Sequence, residues 1–195
     1  MYKSLRQRNK SGFTLVEIII AASIFVIAIG MMYGVYISGV DIYDIARYQA
    51  ELQAQARYAL NYMVSELLNA TRTSTQDPSP NLSIPSKPNN KSIHFRLPED
   101  KDGDGLITDS DGNIEWNTND PIDYQYIPGQ KVLRRLEKGE QIILARDVEG
   151  VQFIDIDIDS TLGINELKII LTLTKTTPRG RDVSVTLCGI VRLRN

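Results

Sequence analysis

Three regimes of hydrophobic patterning follow one another along the chain. From Ile18 to Val40 every position is uncharged and most are apolar. As a helix at about 1.5 Å per residue this run is roughly 35 Å long, enough to cross a hydrocarbon core of about 30 Å. In the second regime Ile42, Ile45, Gln49, Leu52, Ala56, Ala59, Met63 and Leu67 recur at spacings of three or four, an amphipathic stripe. No proline falls between Met1 and Gln76, and Ala, Leu, Gln and Glu are frequent after Ala46. The pattern therefore predicts one helix of about 55–60 residues, ~85 Å long. Its membrane half is 13–40 and its amphipathic half 41–72.

Residues 73–91 are rich in Ser, Asn and Pro and read as a loop. The third regime, 92–195, alternates with the period of strands. Segments 92–97, 123–127, 131–137, 141–145, 151–159, 166–176 and 181–193 are strand-like, with Pro128-Gly129, Lys138-Gly139 and Pro178-Arg179-Gly180 as turns. Leu167, Ile169, Leu171 and Leu173 share a face, as do Val183, Val185, Leu187 and Val191, so the last two segments form a long hairpin. The fold class is α+β: a long N-terminal helix, transmembrane in its first half, packed on a mainly antiparallel sheet.

At 195 residues the chain has room for one anchor and one modest domain. A formal net charge of −2 argues against nucleic acid as a partner. The charge is uneven: Lys3, Arg6, Arg8 and Lys10 precede the apolar run with no acid among them, which puts the N-terminus on the cytoplasmic side. One cysteine, Cys188, rules out an internal disulfide, and its alternating context predicts a packed core thiol. There is one histidine, His94, no nucleophile motif and no transition-metal spacing, so no enzyme is expected.

Glu17 stands at the start of the apolar run, and a carboxylate there calls for a function. A cleaved secretory signal fits poorly, because the run is too long and no Ala-x-Ala follows it. A simple signal anchor, with Glu17 snorkelling to the interface, leaves the residue without a role.

Gly12-Phe13-Thr14-Leu15-Val16-Glu17, behind a short basic leader and ahead of a long apolar tract, resembles the processing signal of type IV prepilins and type II secretion pseudopilins. The resemblance implies a leader, 1–12, removed after Gly12 by a membrane-embedded prepilin peptidase that then N-methylates Phe13. It further implies that Glu17 pairs with the new amine of a neighbouring subunit. Many pilins have a proline about twenty residues into the mature helix; here Gly30, Gly34 and Gly39 occupy that neighbourhood. Further on, LRRLEKGEQIILARDVEGVQF followed by a terminal hairpin is similar to the J-type minor pseudopilins and the W-type minor pilins. The implied role is a minor subunit that helps initiate or cap a type II secretion pseudopilus or a type IV pilus. Such a subunit is anchored once in the inner membrane, with its C-terminal domain outside the cytoplasm, before it enters the filament. Its implied partners are the membrane, the peptidase, other pilins or pseudopilins through their N-terminal helices, and the inner-membrane assembly platform.

The segment 100–111 matches a twelve-residue calcium loop. Asp100, Asp102 and Asp104 stand at positions 1, 3 and 5, Gly105 at 6, the Leu106 carbonyl at 7, Thr108 at 9 and Asp111 at 12. Ca²⁺ is the expected cofactor, since a hard divalent ion offsets the repulsion among these aspartates. Asp at position 12 in place of Glu, and Pro98 ahead of the loop, predict a loop between irregular or β segments with modest affinity, ~10⁻⁴–10⁻³ M. The alternative function is a calcium-dependent tip adhesin, favoured if Trp116 were exposed beside the loop. Asp155, Asp157 and Asp159 read as one solvated strand face.

Overall fold

The computed structural model describes residues 12–70, 82–84, 91–117 and 120–193. Residues 1–11 and 71–72, most of the 73–91 segment, residues 118–119 and the last two residues lie outside that description. The chain divides into two units, Met1–Asp44 and Ile45–Asn195, and one helix, α1 (Leu15–Leu67), spans the division.

In the first unit α1 is apolar and unburied: its most apolar 18-residue window has a mean hydropathy of 2.6 and buries nothing within the chain. The two serines in this run return their hydroxyls to the backbone, Ser23 to the Ile19 carbonyl at 2.8 Å and Ser38 to the Gly34 carbonyl at 3.0 Å. Neither hydroxyl then needs water, as a helix in hydrocarbon requires.

The second unit is built on the other half of α1. Leu52, Ala56, Ala59, Met63 and Leu67 are buried, with Ile45, Tyr48 and Leu60 partly so. The stripe is thus shorter than its periodicity: Ile42 and Gln49 are exposed. The helix ends at Leu67 rather than at residue 72, closing through Asn69 and Ala70 amides bonded to the Glu66 and Leu67 carbonyls.

Eight strands follow: β1 (Leu82–Ser83), β2 (Ser92–Phe95), β3 (Ile122–Ile127), β4 (Val132–Glu137), β5 (Glu140–Ala145), β6 (Val148–Ile154), β7 (Glu166–Thr176) and β8 (Asp182–Arg192). They form two antiparallel sheets, β1-β2-β3-β4-β5 and β6-β7-β8. Lys138 (φ 51°) and Gly139 (φ 80°) make the two-residue turn between β4 and β5, both in the left-handed region that a type I′ hairpin requires. The predicted terminal hairpin is β7–β8, paired from Glu166↔Arg192 to Thr176↔Asp182. Its inner face, Leu167, Ile169, Leu171, Leu173, Val183, Val185 and Val191, joins the helix stripe, Phe95, Tyr124 and Phe153 in one core. Where α1 crosses β8 the residue is Gly189; a Cβ there would lie 3.0 Å from Leu60 Cδ2.

Three expectations are corrected. The 73–91 segment is not all loop: Leu82 and Ile84 are buried, and β1 pairs with β2 there. Residues 155–159 do not continue a strand. β6 stops at Ile154, the chain turns with Ile158 and Asp159 amides on the Asp155 carbonyl, and Asp155 is buried rather than solvated. Cys188 is exposed, not packed. With period 2 it falls in phase with Ser184 and Thr186 on the outer face, while Val183, Val185 and Val191 turn inward.

Candidate functional site

Two places carry the sequence-predicted site residues. At the start of α1, Gly12, Phe13 and Thr14 precede the first helical residue, Leu15, and all are exposed. Thr14 caps the helix. Its amide and its hydroxyl donate to one Glu17 carboxylate oxygen at 2.8 and 2.9 Å, and the Glu17 amide points back to the Thr14 hydroxyl at 3.3 Å. This is a reciprocal capping box, Thr-x-x-Glu, which satisfies helix N–H groups that have no partner within the helix. A negative side chain in the first turn also complements the helix dipole. The Glu17 carboxylate is therefore held at the helix entrance, three residues from Thr14 and next to the Gly12–Phe13 junction. Sequence reading singled out Glu17 and passed over Thr14, although the Thr-x-x-Glu spacing is itself the signal.

The second place is the acidic loop. Asp100 accepts the Gly103 and Gly105 amides at 2.7 and 2.8 Å, Asp102 the Asp104 amide at 3.0 Å, and Asp104 the Leu106 amide at 2.7 Å. Gly105 adopts φ 85°, the turn expected at position 6. Beyond Thr108 the chain reverses, with the Asp109 carboxylate collecting the Asp111 and Asn113 amides, and Thr108 bridges Ile114. The returning segment then runs between two legs. Glu115 offers its carbonyl to the Glu99 amide at 3.0 Å and its own amide to the Ile107 carbonyl at 2.9 Å.

That ladder carries the Glu115 side chain into the loop, where it accepts the Lys101 amide at 2.7 Å. Carboxylate oxygens of Asp100, Asp102 and Glu115 lie within 4.8 Å of one another. Asp111, the expected twelfth-position residue, is not one of the three. No sequence spacing pointed to Glu115, because a long-range backbone pairing delivers it.

The electrostatics of the loop follow from this crowding. The Asp104 amide favours the Asp102 carboxylate, but desolvation and the charges of Asp104, Glu115 and Asp100 outweigh it and hold the Asp102 pKa above the ordinary aspartate value. Asp109 lies on the other side: the backbone amide of Asn113, foremost, draws its pKa down. Like-charge repulsion at Asp102 is what a divalent cation relieves, and every nearby donor is a hard oxygen. The residues present therefore fit Ca²⁺. Trp116 is buried, 7 % exposed, and its backbone bridges Pro98, so it is not displayed beside the loop.

A third cluster went unread in the sequence. Arg135, on β4, is buried beside Glu66 of α1, with Nε–Oε distances of 2.9 and 3.0 Å and Nη2–Oε1 at 2.9 Å, and its Nη1 reaches Glu137 at 2.8 Å. The Tyr124 phenol donates to the same Glu66 carboxylate. Burial works against the Arg135 charge, but the hydrogen bonds it donates to Glu66 and Glu137 outweigh it and raise its pKa. Burial and the Glu66 bond also push the Tyr124 phenol up. Alternation along β4 puts Leu133 and Arg135 on one face, which was the available sign that this arginine points inward.

Residues 7–33 match the family model described as the prokaryotic N-terminal methylation motif. The chain thus carries a prepilin-type N-terminal motif on a helix long and apolar enough to cross a membrane. The matched motif supports a relation to the type IV pilins and pseudopilins through the N-terminal segment. No curated protein and no solved structure matches the chain.

Proposed function

We propose that this chain is a minor subunit of a type II secretion pseudopilus or a type IV pilus, acting in assembly rather than catalysis. The observation that carries the reading is Glu17, a carboxylate in the first turn of an unburied apolar helix, inside the matched motif. Prepilin peptidase cuts after Gly12 and methylates Phe13. The new amine then meets Glu17 of a neighbour in a low-dielectric setting, where breaking such a pair strands a charge at about 3–5 kcal/mol. One residue can set the register of adjacent subunits on that basis. The subunit helps initiate or cap the filament and nears the J-type pseudopilins and W-type pilins through its Leu133–Phe153 stretch.

Mass spectrometry of the mature N-terminus tests this. Methylated Phe13 is the expected product, and an intact leader or a cut beyond the apolar run overturns the reading. Glu17→Ala is expected to be processed normally and to be lost from filaments.

Ca²⁺ orders the acidic loop after export. Asp100, Asp102 and Asp104, the Leu106 carbonyl and Thr108 supply oxygens, and Glu115 takes the closing place expected of Asp111. The expected result is a higher melting temperature in millimolar Ca²⁺. Glu115→Gln should remove that shift and Asp111→Asn should largely spare it. No shift in the parent protein would sink the calcium site.

A further inference from the structure

The unburied half of α1 carries three tyrosines towards its Asp44 end: Tyr33 is 64 % exposed, and Tyr36 and Tyr43 are each 66 % exposed. Spacings of three and seven put them on one face of the helix. The serines of the same run settle their hydroxyls on their own backbone, Ser23 on Ile19 and Ser38 on Gly34. A phenol cannot do this, because its ring holds the oxygen away from the turn it belongs to. None of the three has a hydrogen-bond partner among the described residues. An unpartnered hydroxyl in hydrocarbon is costly. These rings fit the membrane–water boundary, where the apolar body sits in lipid and the oxygen meets headgroups and water.

Their place along the helix agrees. Tyr36 lies about 28 Å beyond Glu17 and Tyr33 about 24 Å, against a hydrocarbon core of about 30 Å. Asp41 and Asp44 bring charge back within the next two turns. The uncharged run Ile18–Val40 is a turn longer than this span. Such a run can tilt until all of it is covered, or leave its last turn outside. Tilting would draw the phenols of Tyr33 and Tyr36 into lipid, so the second arrangement is favoured.

We propose that Tyr33 and Tyr36 anchor α1 among the lipid headgroups on the side where the chain continues to the globular unit. They fix the span at Glu17–Tyr36 and leave the turn Ile37–Val40 outside the hydrocarbon. Glu17 and its capping box then stand at the opposite headgroup layer, where the carboxylate stays solvated. The inference rests on the membrane reading of the N-terminal half and adds a depth to it. Glu17 enters a low-dielectric setting only when the subunit leaves this depth for the filament.

The test uses the full chain in vesicles of phosphatidylcholine and phosphatidylglycerol, with Cys188→Ser to remove the native thiol. Single cysteines replace Ile29, Gly39 or Ile42, and a water-soluble maleimide is brought to both faces by freeze–thaw. A Cβ at Gly39 meets nothing within 4 Å, so that substitution fits. Gly39→Cys is expected to react as fast as Ile42→Cys, with Ile29→Cys protected. Tyr33→Leu/Tyr36→Leu should slow Gly39→Cys about ten-fold by drawing the last turn into lipid, and Tyr33→Trp/Tyr36→Trp should keep the parent rate. A protected Gly39→Cys in the parent, a rate unmoved by the leucine pair, or a tryptophan pair that behaves like leucine overturns the anchors. Equal reaction at all three positions overturns the span itself. Leader cleavage and Phe13 methylation are not read by this measurement, so failure of the processing reading and failure of the anchors show separately.

Discussion

The two halves of α1 share a backbone and differ in where their apolar surface goes. From Leu15 to Asp44 the helix is almost wholly apolar, yet none of its residues is fully buried. From Ile45 to Leu67 it is mixed, carrying Arg47, Glu51, Arg57 and Glu66, yet five of its side chains are fully buried. Hydrophobicity alone therefore does not report burial inside the fold. The first half is long and apolar enough to cross a membrane, where a two-sided pattern would serve it poorly. The second half has one sheet to cover, and needs only a stripe.

The difference can be tested by breaking each half. Arg135→Ala should destabilise the globular unit most, by about 3–5 kcal/mol, because it leaves the half-buried Glu66 without its cation. Urea unfolding followed by Trp116, the only tryptophan and a buried one, reads this directly. Removing both charges in Glu66→Leu/Arg135→Leu should recover part of the loss. By contrast Ile27→Ala, in the exposed apolar half, should leave the same transition unmoved.

Gly189→Val comes next, at about 1–3 kcal/mol, since the added side chain meets Leu60 where helix and β8 touch. Thr14→Val should loosen the first turn of α1 by about 0.5–2 kcal/mol, seen as faster amide exchange there with no change in the urea midpoint.

The smallest effect is a titration difference within one loop. Without Ca²⁺, NMR should find Asp102 titrating above the ordinary aspartate value and Asp109 below it. The signs have opposite consequences. Asp109 favours the folded state above its unfolded pKa, and that contribution is lost as pH falls through its lowered folded value. The raised pKa of Asp102 works against folding at neutral pH, and acid relieves it. Adding Ca²⁺ should abolish the Asp102 shift, and binding should weaken as pH falls towards the carboxylate range.

Much of this molecule was written in local pattern. The apolar run, the prepilin-type junction at Gly12–Phe13, the helix stripe and the β7–β8 hairpin all follow from spacings within a few residues. Errors arose where phase or distance mattered. Cys188 is in phase with Ser184 and Thr186, so the alternation that turns Val183, Val185 and Val191 inward turns it out, despite its apolar neighbours. Asp155–Asp159 kept a strand-like period while the chain turned away. Leu82 and Ile84, two apolar residues in a polar linker, gave too little signal for a strand whose existence depends on β2.

What the sequence determined by itself is the chemistry of the N-terminus and the kind of element each segment forms, because helix caps, periodicity and turns are set by neighbours along the chain. Only the tertiary structure decided that Glu115 joins Asp100 and Asp102, and that Arg135 meets Glu66. Those contacts join residues far apart in the chain. Backbone pairing and burial bring them together, and no spacing along the chain records them.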